Sequence, residues 1–138
     1  MSFSIKINGY QYNDCWFDHR SVMSESGVKW YYEIIMSNEY GYPEPIAKIN
    51  VLDDGITDEI DALVENDPSL YGIKHYDVLV VKHCEENTGI VEELQKLGVL
   101  GRFVGSARFG RDKYPVFVVL RDRMDALSEI DEFEQEEE

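Results

Sequence analysis

A chain of 138 residues fits one hydrophobic core and hardly two, and its 43 % apolar fraction, with nine Tyr, six Phe and two Trp, sets it apart from apolar-poor disordered chains. Thirteen basic against 28 acidic side chains give a net charge of −15, whose long-range field repels polyanions and argues against direct nucleic-acid binding. The longest apolar runs, Val78–Val81 and Val116–Leu120, fall far short of the ~20 residues that cross a bilayer, and residues 1–6 lack the basic and apolar stretches of a secretory leader, so a cytoplasmic protein with no membrane segment is expected.

In chain order, Phe3–Ile7 alternates with period two, and Asn8-Gly9 supplies the two positive-φ positions of a type I′ turn. Tyr10–Tyr12 and Cys15–Phe17 return as the second strand, with Asn13-Asp14 as a bulge or break, and residues 18–27 read as a polar loop. Val28–Met36 is rich in aromatic and β-branched residues and predicts a long strand. An Asn/Gly/Pro turn over 37–45 leads to a fourth strand at Ile46–Val51, and the short connections imply an antiparallel meander.

The period then changes. Ile56, Ile60, Leu63 and Val64 form one helical stripe with Asp58 and Glu59 near its start, and Asn66-Asp67-Pro68 ends it. Tyr76–Val81 is nearly continuous in apolar residues, as a strand buried on both faces requires. Thr88 is the expected N-cap of a helix over 90–97, and Gly98 its left-handed stop. Val99–Phe109 and Tyr114–Leu120 predict a last strand pair joined by residues 110–113. The expected fold is α+β, a mostly antiparallel sheet of about six or seven strands with two helices packed on one face. It forms a single globular domain over 1–124, ahead of an acidic, disordered tail over 125–138.

No chemical constellation emerges. Cys15 and Cys84 lie in separate strand-like segments with no Cys-x-x-Cys spacing, which suits buried, reduced thiols. His75 and His83 would stand ~26 Å apart on one strand, and His83 and Cys84 would point to opposite faces, so neither pair makes a metal or thiol–imidazole site. Asp53-Asp54-Gly55 fails as a calcium loop because Leu52 falls at a ligand position. Gly105 to Asp112 has the glycine spacing of a phosphate loop, but Arg111 and Asp112 replace its Lys and Ser/Thr and a strand follows it; it reads as a turn with glycines. No catalytic residue, metal or cofactor is expected.

Charge is the clearest pattern. Eight acids and no Lys or Arg lie in 125–138, so the tail carries −8 and residues 1–124 carry −7. Leu127, Ile130 and Phe133 recur every three residues there and would line one side of a short helix able to dock on the body or a partner. Six of the thirteen bases, Arg102, Arg108, Arg111, Lys113, Arg121 and Arg123, crowd between 102 and 123. Arg102, Arg108, Arg111 and Lys113 are the candidate contacts for an anion or a partner. Trp16, Phe17, Trp30, Tyr31 and Tyr32 offer more aromatic area than one face of a small meander needs, which makes an exposed sheet face a candidate homodimer surface.

The segments Pro45–Val51, Glu86–Leu94, Gly105-Ser106 and Tyr114–Phe117 together resemble an uncharacterised family of small accessory proteins carried on conjugative elements and phages, over roughly residues 44–119. This chain departs from that pattern in a longer acidic insert over 53–75 and in its charged tail. The resemblance implies a genomic setting and transfers no catalytic residue. The expected function is a non-enzymatic, protein-binding accessory factor of a mobile element or phage, an acidic nucleic-acid mimic or inhibitor of a host protein. The alternatives are a small anion- or peptide-binding module, or a small enzyme, built on the basic segment 102–123.

Overall fold

The computed structural model describes residues 2–24, 27–51, 55–73, 77–83, 87–109 and 111–128. Its strands and helices are β1 (Phe3–Ile7), β2 (Tyr10–Ser24), β3 (Gly27–Ser37), β4 (Pro43–Lys48), α1 (Ile56–Glu65), β5 (Val78–Val80), α2 (Ile90–Lys96), β6 (Leu100–Phe109), β7 (Asp112–Val119) and α3 (Arg121–Ala126), with a 3₁₀ turn at Pro68–Leu70. The fold is α+β and mostly strand, as expected. The strands form two antiparallel sheets, ordered β1-β2-β3-β4 and β5-β7-β6, where one sheet was expected.

Residues 49–51 are the seam between them. Ile49 N–H donates to the Tyr32 carbonyl on β3, while Val51 N–H donates to Val80 and Lys82 N–H to the Ile49 carbonyl. A buried Asn87 closes the same seam, its Nδ2 donating to the Lys48 carbonyl at 2.7 Å and to the Lys82 carbonyl at 2.9 Å. Chain direction changes at this crossing, and the side-chain amide satisfies two carbonyls that no strand reaches.

Asn8 and Gly9 take the positive φ values, 51° and 84°, that the β1–β2 turn demands. Asp14, at φ 56°, accompanies a register shift between Phe3↔Cys15 and Ile5↔Tyr12, so the expected irregularity is a bulge that β2 runs through. The β1–β4 sheet buries Phe3, Ile5, Ile7, Cys15, Phe17, Ile34 and Ala47 on one face. Against that face pack Leu79 and Val81, Phe117 and Val119, Ile90 and Leu94 of α2, and Met124 and Leu127 at the chain's other end.

The smaller sheet has a second buried face. Val78, Val80, Val104, Ala107 and Val116 pack with Ile60 of α1 and Leu70. Both faces of β5 are therefore covered, which is why its sequence is continuously apolar. The expected pair of helices on one face is replaced by a division: α1 lies on the small sheet, α2 contacts β1 and β6, and the short α3 joins the central core. Gly105 sits inside β6, not in a turn, at a register shift where a Cβ would come within 3.0 Å of Leu63 on α1. The N-cap of α2 is Gly89, at φ 89°, with no side-chain cap; the Thr88 carbonyl is instead occupied by Asn8 N–H. Gly98, at φ 78°, stops α2 as its position implied. No helix among the described residues is long and apolar enough to cross a membrane.

The largest departure lies in residues 18–24. The chain expected to loop there continues as β2 and pairs with β3 without interruption from Cys15↔Met36 to Ser24↔Gly27. His19, Arg20 and Ser21 pair with the aromatic residues Tyr32, Tyr31 and Trp30 on β3, so the strand is specified by its neighbour and not by its own alternation.

Candidate functional site

The clustered bases separate into two groups in space. Arg102 donates from Nη1 to the Ser69 carbonyl at 3.0 Å and from Nη2 to Ser69 Oγ at 2.6 Å. Asp67 caps the same 3₁₀ turn, its Oδ1 accepting from Ser69 N–H and Oγ–H, and these hydrogen bonds, with the Arg102 charge, hold its carboxyl below the usual range. Arg121 donates from Nη1 to the Tyr32 hydroxyl at 2.7 Å, and Arg123 from Nε to the Leu97 carbonyl at 2.9 Å. These three arginines tie α3, β6 and their connections to the body.

Arg108, Arg111 and Lys113 are different. Arg108 lies across from Lys113 at the end of the β6–β7 hairpin, with Arg111 in the turn between. All three are exposed, and none of their side chains makes a hydrogen bond or ion pair with another described residue. Of the candidate contacts, Arg108, Arg111 and Lys113 come together, and Arg102 is engaged elsewhere by Ser69. Leu127 is 1 % exposed and belongs to the core, with its carbonyl accepting from Phe17 N–H at 3.0 Å. Ile130 and Phe133 lie outside the described residues, as do His75 and Cys84.

The expected exposed aromatic face is not formed. Phe17, Tyr31 and Tyr32 are buried, and alternation sends Phe17 and Tyr32 to the core face while Trp16 and Tyr31 take the other. On that outer face Ile35 is buried opposite Trp16. Arg20 bonds Asp18 at 3.1 Å and the buried Glu33 at 3.3 Å, and Lys48 Nζ stands 5.1 Å over the Tyr31 ring.

Apolar exposure is concentrated instead on the arm formed by the far ends of β2 and β3. Met23 is 80 % exposed, Trp30 57 % and Val28 53 %, and Val22 joins them. Residues 19–23 are exposed whichever face they occupy, so this hairpin stands out from the body. Its base is held firmly. His19 stacks between Trp30 and Tyr32, with ring centroids 4.7 and 4.9 Å away. Asn50 accepts Tyr32 N–H on its Oδ1 at 2.8 Å and donates from Nδ2 to the Trp30 carbonyl at 3.4 Å, extending the ladder where β4 has ended. Sequence reasoning missed the arm because residues 18–27 look polar; the available signal was Val22-Met23 and Val28 flanking Ser24-Glu25-Ser26-Gly27, a hairpin composition.

Elsewhere, a shallow depression of about 330 Å³ is lined by Asp61, Val64, Glu65, Tyr71, Gly72 and Ile73, and among the described residues it brings two carboxylates together with no cationic side chain. Cys15 is fully buried, and burial with the neighbouring Asp14 charge pushes its thiol up to about 11, the behaviour of a core residue. His83 stands edge-on to Tyr114 at 5.8 Å. No group of three or more His, Cys, Asp or Glu side chains able to hold a metal occurs among the described residues. No family model, curated protein or solved structure matches this chain.

Proposed function

We propose that this chain is a non-enzymatic, protein-binding accessory factor that engages its partner through the β2–β3 arm. One observation carries the reading: Val22, Met23, Val28 and Trp30 are held exposed on a rigidly based hairpin that contributes little to the core. Water-exposed apolar side chains gathered on a projecting element cost solubility and are characteristic of contact surfaces. Trp30 is the natural anchor, because large aromatic residues dominate binding energy at interfaces. The charge of −15 favours a protein partner over a nucleic acid. The resemblance over residues 44–119 agrees with an accessory role on a mobile element or phage.

The test is affinity capture with the full chain and with Trp30→Glu and Met23→Glu variants. A specific protein retained by the wild type and lost from both variants, with thermal unfolding unchanged, is the expected result. Retention by both variants at wild-type level removes the arm from the reading.

A second reading rests on Arg108, Arg111 and Lys113, three exposed cations whose side chains no acidic residue engages among the described residues. It is an anion- or acidic-peptide-binding contact at the end of the β6–β7 hairpin. Replacing all three by Ala should leave folding intact and abolish retention on a phosphate or polyglutamate matrix at low salt; unchanged retention dismisses it.

A further inference from the structure

The arm also carries an open hydrogen-bonding edge. Phe17 N–H points away from β3, since it donates to the Leu127 carbonyl. Backbone groups alternate in direction along a strand, so the N–H and C=O of His19, Ser21 and Met23 point the same outward way. Asp18 Oδ1 takes the His19 N–H at 2.8 Å. Ser21 and Met23 then present donors and acceptors along an edge with no strand beside it among the described residues.

The other sheet edges are obstructed. β4 carries Pro43 and Pro45, which have no N–H to offer. β1 has Lys6 N–H bonded to Glu93 Oε1 and the next turn bonded to Thr88. β5 is covered by residues 49–51, and β6 is broken by two register shifts. Sheets blunt their edges in these ways to prevent unwanted pairing, and beyond His19, from Ser21 to Met23, the β2 edge of the arm lacks each of them among the described residues.

We infer that this edge pairs with the same edge of a second copy of the chain, antiparallel about a two-fold axis at Val22. In that register Ser21 lies opposite Met23 of the partner subunit, each exchanging both backbone hydrogen bonds, and Val22 meets Val22 of the partner subunit across the axis. The arrangement is isologous and closes at two copies, forming a continuous four-stranded sheet of two arms. The β3 edge is a poorer choice. Asn50 already occupies part of it, at the Tyr32 N–H and the Trp30 carbonyl.

Charge selects a second copy as the occupant. Residues 18–30 contain Asp18, Glu25, Arg20 and Lys29 and are formally neutral in a chain of net −15, so two copies approach with least repulsion here. With the axis at Val22, His19 lies three residues from it in each copy, so at ~3.3 Å per residue the two arm bases stand roughly 20 Å apart along the strands, which separates the acidic bodies by more than the Debye length of about 8 Å at physiological salt. The inference rests on the arm being a protein-binding element and names its partner.

The experiment is sedimentation velocity of the full chain from low to high micromolar concentration, with Val22→Glu and Val22→Lys variants alone and mixed. Circular dichroism and thermal unfolding verify that each variant folds. The wild type should dimerise, each variant should weaken the dimer about a hundredfold by setting like charges on the axis, and the mixture should restore it. A monomeric wild type, a Val22→Glu dimer as tight as the wild type, or a mixture that stays monomeric overturns the self-pairing. If the wild type is monomeric while Trp30→Glu still loses a captured protein, the arm remains a binding element and only the second copy is rejected.

Discussion

β5 and the β2–β3 arm are both regular antiparallel structure, yet they meet solvent in opposite ways. All three residues of β5 are buried, one face in the central core and the other beneath α1 and Leu70. In the arm, residues 19–23 are exposed on both faces, and only the base is anchored, by His19, Tyr32 and Asn50. The difference shows that strand geometry alone says nothing about where stability resides. Apolar area removed from water holds β5, whereas the arm is held by its ladder and by stacking at one end.

Substitution in the two regions gives the largest contrast. Leu79→Ala, at the buried β5 position that faces the central core, should cost about 2–5 kcal/mol, while Met23→Ala on the arm should change stability by no more than ~0.5 kcal/mol. Urea denaturation of both variants measures this, and comparable losses would mean that the arm is part of the cooperative core.

The seam between the sheets comes next. Asn87→Ala leaves the Lys48 and Lys82 carbonyls without their donor in a buried site and should cost about 1–3 kcal/mol. Hydrogen exchange should then speed in residues 49–51 and β5 before it does so in β1.

At the arm's base, Tyr32→Phe deletes the hydroxyl that accepts from Arg121 while keeping the ring beside His19, and about 0.5–1.5 kcal/mol should be lost. The arm's capture of a partner should persist in this variant, which separates its anchoring from its contact surface.

The smallest effect is in acid. Burial would raise Glu93, but hydrogen bonds from Lys96 and from Lys6 N–H, together with both charges, hold it below the usual carboxylate range. A folded-state value below the unfolded one stabilises the protein above the ordinary carboxylate range, and that contribution is lost as pH falls through the lowered value. Glu93→Gln should therefore flatten the acid limb of the stability profile, measured as midpoint against pH. An unchanged acid limb would show that the contact of α2 with the β1 edge contributes nothing to folding.

Much of the fold was legible because its signals are local. Asn8-Gly9, the stripe from Ile56 to Val64, the apolar run ending at Val81 and Gly98 each specify a conformation by steric or periodic rules that operate within a few residues. The candidate site was legible only in part. Adjacent bases in sequence gave no hint that Ser69, Tyr32 and the Leu97 carbonyl would engage Arg102, Arg121 and Arg123 and leave Arg108, Arg111 and Lys113 exposed, because those partners come from distant segments.

Composition and pattern by themselves determined an acidic α+β chain with strands before Asn50 and mixed elements after it. Tertiary structure decided that residues 18–24 are strand, that the strands divide into two sheets at residues 49–51, and that Leu127 lies in the core. The reason is the same in each case. Polar or ambiguous segments take their conformation from the partner that satisfies their backbone or covers their side chains, and that partner is chosen in space rather than along the chain.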